Sequence, residues 1–143
     1  MTPLERLLDE TRLLWHAISH AGERLHAEEP VTLGMRAVLE FLTEHGQATV
    51  PHVARSRRVS RQHIQGLVNA LLELELVALG QNPAHRRSAF VRVTPRGKQV
   101  FDRMLRRERG LFGRIDLGAD EADLKRAART LKAVREAVEE ATP

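Results

Sequence analysis

Polar side chains that can recognise the edges of nucleic-acid bases recur at helical spacing in the middle of the chain. Arg61 can donate two hydrogen bonds to the O6 and N7 atoms of guanine. Gln62, Gln65 and Asn69 can each pair with the N6 and N7 atoms of adenine. Residues 61–74 carry their apolar side chains on the opposite helical face, so this pattern predicts an amphipathic helix with an exposed, base-reading side.

Basic residues are concentrated in the same part of the chain. Residues 51–110 contain 13 Lys and Arg against 4 Asp and Glu, whereas the rest of the chain contains 10 against 15. A basic centre between more acidic ends favours a polyanionic partner over an ordinary solvated surface. The ten residues that we expect to contact duplex DNA are Arg57, Arg58, Ser60, Arg61, Gln62, His63, Gln65, Asn69, Arg86 and Arg87.

The elements that must position these residues follow from hydrophobic periodicity and from capping residues. Thr32 and Ser60 are good N-caps, Gly46 suits the end of a helix, and Pro51 and Pro95 suit first helical turns. Apolar runs on either side of a polar loop, residues 81–88, predict a β-hairpin. The predicted helices are 4–26, 33–45, a short one after residue 49, 60–74, one from residue 94 and one from about 118 to 141, and the predicted strands are 76–80 and 89–93.

Two short helices joined by a tight turn and followed by a basic hairpin are typical of a winged helix-turn-helix. The second of these helices is expected to enter the major groove, and Arg86 and Arg87 in the wing suit a narrow minor groove. Gly66 interrupts the base-reading helix at a cost of about 1 kcal/mol relative to Ala. It could permit a close approach of the backbone or could be neutral drift, and we slightly favour drift.

The first helix carries a longer apolar stripe than a compact monomer easily covers. Alternating steps of four and three residues, which are the spacing of a helix-packing seam, separate Leu4, Leu8, Thr11, Trp15, Ile18, Gly22 and Leu25. We therefore expect a homodimer. The chain is predicted to be one mainly α domain with a small β-hairpin wing, in which residues 31–94 bind DNA and residues 1–30 and 95–143 mainly dimerise.

The sequence resembles the MarR family of regulators over nearly its whole length. The family's second helix is resembled by residues 31–33 with Val38, Leu39 and Leu42, and its helix-turn-helix by residues 53–54 and 59–62. Its wing is resembled by residues 82–87, and the exit from the wing into the next helix by residues 91–97. It implies dimers built from the first and last two helices, palindromic operators, repression, and release by a small ligand. The family's wing often carries Asp where this chain has Asn82 and His85, which questions a carboxylate–Arg brace there.

An effector cleft and a metal site are the two ligand sites that the sequence suggests. Trp15, Ile18 and Met35 lie near where the resemblance implies an effector cleft, although plain core or dimer packing is the better interpretation of all three. His16, His20 and Glu23 fall on one helical face, but an exposed, non-ligating set is the better interpretation, and we predict neither a metal nor a cofactor.

Other classes of protein receive little support. The chain has no Cys, no Ser/His/Asp arrangement, no phosphate-binding Gly loop and no HExxH motif, so we do not expect an enzyme. No stretch is apolar for long enough to span a membrane and Met1 to Asp9 lacks a basic leader, so we expect a cytoplasmic protein. The main alternative is an architectural or protein-interaction winged helix without a specific operator.

Overall fold

The computed structural model describes residues 1–143 and contains six α-helices and one small antiparallel sheet. The mainly α fold with a β-hairpin is thus confirmed, with boundaries within a few residues of those predicted. No helix is both long and apolar enough to cross a lipid bilayer. In chain order the elements are α1 (Pro3–Leu25), α2 (Leu33–His45), β1 (Ala48–Thr49), α3 (Val50–Arg57), α4 (Arg61–Glu73), β2 (Val77–Gly80), β3 (Phe90–Val93), α5 (Pro95–Phe112) and α6 (Glu121–Ala141).

The sheet has a third strand that the sequence did not predict. The strand order is β1-β3-β2, and both pairings are antiparallel. In β1, Ala48 pairs with Val91 and Thr49 pairs with Phe90. Two residues are too few to show an alternating hydrophobic pattern, so β1 is recognisable only from its pairing with β3.

Side-chain caps fix the starts of the helices that carry the site. The hydroxyl of Thr32 accepts a hydrogen bond from the backbone N–H of Met35, and Thr49 accepts one from His52. The Ser60 hydroxyl accepts the N–H of His63 at 3.0 Å. Each cap satisfies one of the backbone donors that a helix start leaves unpaired. The predicted caps at Thr32 and Ser60 are therefore present.

The core lies between α2, α4, the sheet and α5. Leu39 of α2 and Leu71 of α4 are completely buried, and Ile64 and Val68 extend the buried face of α4. Met104 anchors α5 in the same cluster. Because these apolar side chains face inward, the opposite face of α4 is left to solvent.

The chain divides into two compact units, residues 1–110 and residues 111–143. The first unit holds the sheet and the hydrophobic core. In the second unit, α6 begins at an Asp120 cap and contains no buried residue. The prediction of one domain with terminal dimerisation helices stays a prediction.

The start of α5 is joined to the end of α4 through backbone groups. Thr94 donates its N–H to the Leu76 carbonyl at 3.0 Å and its hydroxyl to the Glu75 carbonyl at 2.7 Å. The same hydroxyl accepts the N–H of Gly97 at 3.0 Å. A Cβ at position 97 would collide with the Leu76 carbonyl, which explains the glycine in the first turn of α5.

Two clusters of ion pairs join α5 to the region around α2. In the first, Glu108 accepts two hydrogen bonds from the Arg36 guanidinium, both at 2.6 Å, and lies 2.9 Å from Nε2 of the buried His26. In the second, Glu29 accepts hydrogen bonds from Arg103 and Arg107 at 2.6–2.9 Å. These residues are called the Glu108 cluster and the Glu29 cluster below.

Both carboxylates are stabilised in their charged form. The hydrogen bond from Arg103 is the main cause that lowers the pKa of Glu29, and it outweighs the opposing effect of burial. For Glu108, burial is the largest single effect and raises the pKa, but hydrogen bonds and charges from Arg36 and His26 together bring the pKa below its ordinary value.

We predict that these carboxylates make the fold sensitive to acid. A carboxyl whose pKa is lower in the folded than in the unfolded state contributes stability above its unfolded pKa, near 4.5, and loses it as the pH falls through the folded pKa. The free energy of unfolding, measured by urea titration from pH 7 to pH 3, should therefore fall below about pH 5.

A variant pair assigns this effect to the Glu108 cluster. Glu108→Gln removes the carboxylate that joins Arg36 to α5 and leaves Arg36 only Glu40, at 3.2 Å, so it should cost about 2 kcal/mol at pH 7 and flatten the acid profile. Glu121→Gln changes an exposed carboxylate paired only with Lys125 and should leave the profile unaltered. A Glu108→Gln profile parallel to that of the wild type would contradict this assignment.

Candidate nucleic-acid interface

A tight turn sets the angle between α3 and α4. Arg58 adopts the left-handed conformation, with φ of 54°, at the end of α3. The N–H of Val59 then bonds to the Ala54 carbonyl at 3.1 Å, which is the hydrogen bond of a Schellman motif. Ser60, two residues after Arg58, caps α4, so α3 and α4 form the predicted helix-turn-helix.

The outward face of α4 presents the predicted base-reading residues. Arg61, Gln62, Gln65 and Asn69 are all exposed, and His63 is exposed beside them. The Gln65 amide donates a hydrogen bond to the Asn69 carbonyl oxygen at 2.9 Å. This bond links the two amides, yet each keeps free donor and acceptor positions for a base.

The charge on α4 changes along its length. Arg61 lies at the N-terminal end, whereas Glu73 and Glu75 lie at and just beyond the C-terminal end. A phosphate backbone would be attracted to the first end and repelled from the second. This polarity suits a helix that enters a groove by its N-terminal part.

A groove of about 490 Å³ separates α4 from the wing. Arg61, Gln62 and Gln65 line one side, and Arg87 lines the other. Its apolar lining includes Val50 and Pro51 of α3, which the sequence did not indicate as site residues. The structure therefore brings together three predicted residues of α4 and one of the wing.

The other wing arginine lies on a different surface. Arg86 lines a second, open concavity of about 700 Å³ together with Asn82 and Pro83. Consecutive wing arginines thus flank different hollows. This arrangement fits contacts with two separate stretches of a polyanion better than one shared contact.

Asn82 supplies the internal brace of the wing. Its Nδ2 donates to the Ser88 carbonyl at 3.0 Å, and its Oδ1 accepts the N–H of Ala84 at 3.2 Å. An amide therefore ties the two ends of the loop together through backbone groups. The sequence signal that could have revealed it is the Asn-Pro start of the loop, since Asn commonly bonds to the backbone two residues ahead.

Arg57 is held by α2. Its guanidinium donates to the Ala37 carbonyl at 2.9 Å and lies 3.6 Å from the Glu40 carboxylate. This side chain fastens α3 to α2, a packing role that the sequence did not show. Its contact with DNA stays a prediction, as does that of Arg58.

The residues of the suggested effector cleft have different environments. Trp15 and Ile18 are 67% and 45% exposed on α1, whereas Met35 is 4% exposed in the core. The cleft stays a prediction. His16, His20 and Glu23 are exposed on α1, and no three His, Cys, Asp or Glu side chains are grouped closely enough to hold a metal ion.

The helix-turn-helix, the hairpin and the basic groove define a winged helix-turn-helix protein. Residues 36–88 match the model of the MarR family. The chain is 27% identical to a crystal structure of a MarR family transcription regulator, with a TM-score of 0.84 over 96% of this chain and 91% of that one. The chain is therefore similar to MarR family transcription regulators, in sequence over residues 36–88 and in fold over nearly its whole length, and that family and fold are not enzymatic.

Two further similarities extend over most of the chain. An uncharacterized protein of Mycobacterium tuberculosis is 28% identical over 129 residues, which are 90% of each chain. The fold is also that of BpsR from Bordetella bronchiseptica, with 18% identity, a TM-score of 0.78 and coverage of 94% and 96%. That structure was described with a mechanism by which 6-hydroxynicotinic acid regulates DNA binding.

We predict that Asn82 controls the order of the wing. Asn82→Ala removes both side-chain bonds and should speed amide hydrogen exchange across residues 81–89, with little change in the core helices. Asn82→Asp keeps the acceptor for Ala84 and loses the donor to Ser88, so it should give an intermediate effect. Equal exchange rates in all three proteins would show that Asn82 does not brace the loop.

Proposed function

We propose that this protein is a sequence-specific, homodimeric DNA-binding regulator that acts as a repressor at a near-palindromic operator. The single observation that carries the proposal is the groove in which Arg61, Gln62 and Gln65 face Arg87. Arg can read guanine and Gln can read adenine in a major groove, and a wing arginine suits the neighbouring minor groove. Ser60, His63, Asn69 and Arg86 complete the proposed contact surface with Arg57 and Arg58.

The proposal of a homodimer rests on apolar surface that the chain itself leaves uncovered. Helix α1 has 23 residues and none of them is buried, although Leu14, Trp15 and Ile18 are large and apolar. In the second unit, Leu124 and Val138 of α6 are about half exposed. A second copy would cover such faces, and its two-fold symmetry would require two similar half-sites about one helical turn apart.

Control by a small effector is the remaining part of the proposal. BpsR, which has the same fold, is described as regulated by 6-hydroxynicotinic acid, and this precedent supports a ligand for the present chain. Trp15, Ile18 and Met35 are the residues that we propose for its cleft. We propose that the protein works in the cytoplasm, where the operator would be available.

Selection from a library of random duplexes at two salt concentrations tests the function. A specific dimer should enrich one near-palindrome at both concentrations, and the free protein should have the mass of two chains in sedimentation analysis. An architectural or protein-interaction winged helix would instead bind all duplexes alike, with an affinity that collapses at the higher salt concentration. That result would replace the proposed function with the alternative.

We predict that Arg61 reads one base pair through its two donors. Arg61→Ala should cost about 1–3 kcal/mol of binding free energy, chiefly at a single operator position. Arg61→Lys is the matched control, because it keeps the charge but lacks the planar pair of donors. It should retain the affinity for random duplexes and lose the preference at that position.

Arg87→Ala is the contrasting variant, and its affinity for the operator and for random duplexes is measured in the same way, by titration of DNA with protein. Arg87→Ala should weaken binding to operator and random duplexes alike and lower the slope of log affinity against log salt by about one. Equal weakening of all sequences by Arg61→Ala would refute base reading by Arg61. If the salt slope of Arg87→Ala equals that of the wild type, Arg87 does not neutralise DNA phosphate charge.

A further inference from the structure

Gly66 lies in the middle of the exposed face of α4, where helices rarely benefit from glycine. It is four residues after Gln62 and three before Asn69, so these three positions share one side of the helix. All three are exposed. A glycine inside a helix destabilises that helix relative to alanine, so its presence here calls for a physical reason.

The two usual structural requirements for a glycine, close packing within the chain and a positive φ, are both absent at Gly66. A Cβ added at position 66 would meet no atom within 4 Å. By contrast, a Cβ at Gly97 would strike the Leu76 backbone, and one at Gly34 would touch the Leu67 side chain. Gly66 also lacks the positive φ that Gly46 and Gly118 adopt. Neither packing within the chain nor backbone conformation therefore requires a glycine at this site.

The neighbouring side chains leave the space above Gly66 open. The hydrogen bond between Gln65 and Asn69 holds these two amides to each other at 2.9 Å. The surface of Gly66 is thus a bare patch of Cα and backbone among polar side chains suited to reading bases. Such a patch lets a partner come closer to the helix axis than any side chain would allow.

We propose that Gly66 is a specificity-determining position at which the 5-methyl group of a thymine packs against the bare backbone of α4. This inference rests on the proposed function, because it assigns one more contact to the same DNA-reading face. A thymine methyl is the apolar feature of the major groove, and a small apolar surface is its natural complement. Gln62, Gln65 and Asn69 would read the polar base edges around it.

The position of the thymine in the operator follows from the helix. Gly66 lies five residues after Arg61, or roughly 7.5 Å along the helix axis, which is the length of about two base-pair steps. The thymine should therefore lie within about two base pairs of the position whose preference Arg61→Ala abolishes.

Exchange of one methyl group for another tests the proposal. Gly66→Ala adds a methyl group to the protein, and replacing a thymine by deoxyuridine removes only the 5-methyl group from the DNA. With the selected operator, Gly66→Ala should bind at least tenfold more weakly than the wild type. Deoxyuridine at one thymine position in each half-site should restore its affinity to within about threefold, and deoxyuridine elsewhere should not.

Two controls separate this result from changes in folding. Gly66→Ala should unfold at an equal or higher urea concentration than the wild type, because alanine favours the helix. Its affinity for random duplexes should match that of the wild type. Selection repeated with Gly66→Ala should lose the preference for thymine at the rescued position and keep the preference that depends on Arg61.

The outcomes distinguish this inference from the function on which it rests. Failure of the wild type to select any operator would remove the proposed function itself. If an operator is selected and Gly66→Ala binds it as tightly as the wild type, the glycine is neutral drift and the inference is wrong. Weaker binding that no single deoxyuridine relieves would equally overturn the thymine contact.

Discussion

The burial of one face of α4 is the constraint on which the rest of the structure depends. Ile64, Val68 and Leu71 are held against α2 and the sheet with almost no exposure. A rotation of the helix would bring polar groups into the core without partners, at a cost of one to several kcal/mol for each group. The core therefore decides which side chains α4 can offer to a partner, and those are the ones with base-reading chemistry.

Much of this arrangement could be predicted from the sequence, because it follows from local rules. The caps at Thr32 and Ser60 and the apolar stripe of α4 are short-range patterns that propensity and periodicity describe well. The exposure of Arg61, Gln62, Gln65 and Asn69 follows from that stripe. The loop between β2 and β3 was recognisable from its polar composition and its proline.

What could not be predicted depends on contacts between residues distant in sequence. Strand β1 exists only because β3 lies beside it, and Arg57 fastens α3 to α2 through a carbonyl 20 residues earlier. The pairing of Glu108 with Arg36 spans 72 residues, and its members look like ordinary surface charges in the sequence. The sequence also could not reveal that the space around Gly66 is open. Only the structure shows that packing within the chain does not require a glycine there.

Helix α5 is fixed at two places along its length. Its first turn is bonded to the end of α4 through Thr94 and Gly97, and its later turns are bonded to the α1–α2 region through the Glu29 and Glu108 clusters. A helix of 18 residues is about 27 Å long, so a tilt of about ten degrees at one end displaces the other by roughly 5 Å. Helix α5 is therefore held at its first turn and again between residues 103 and 108. A displacement near His26 would therefore be passed along α5 towards the base of the wing and the end of α4.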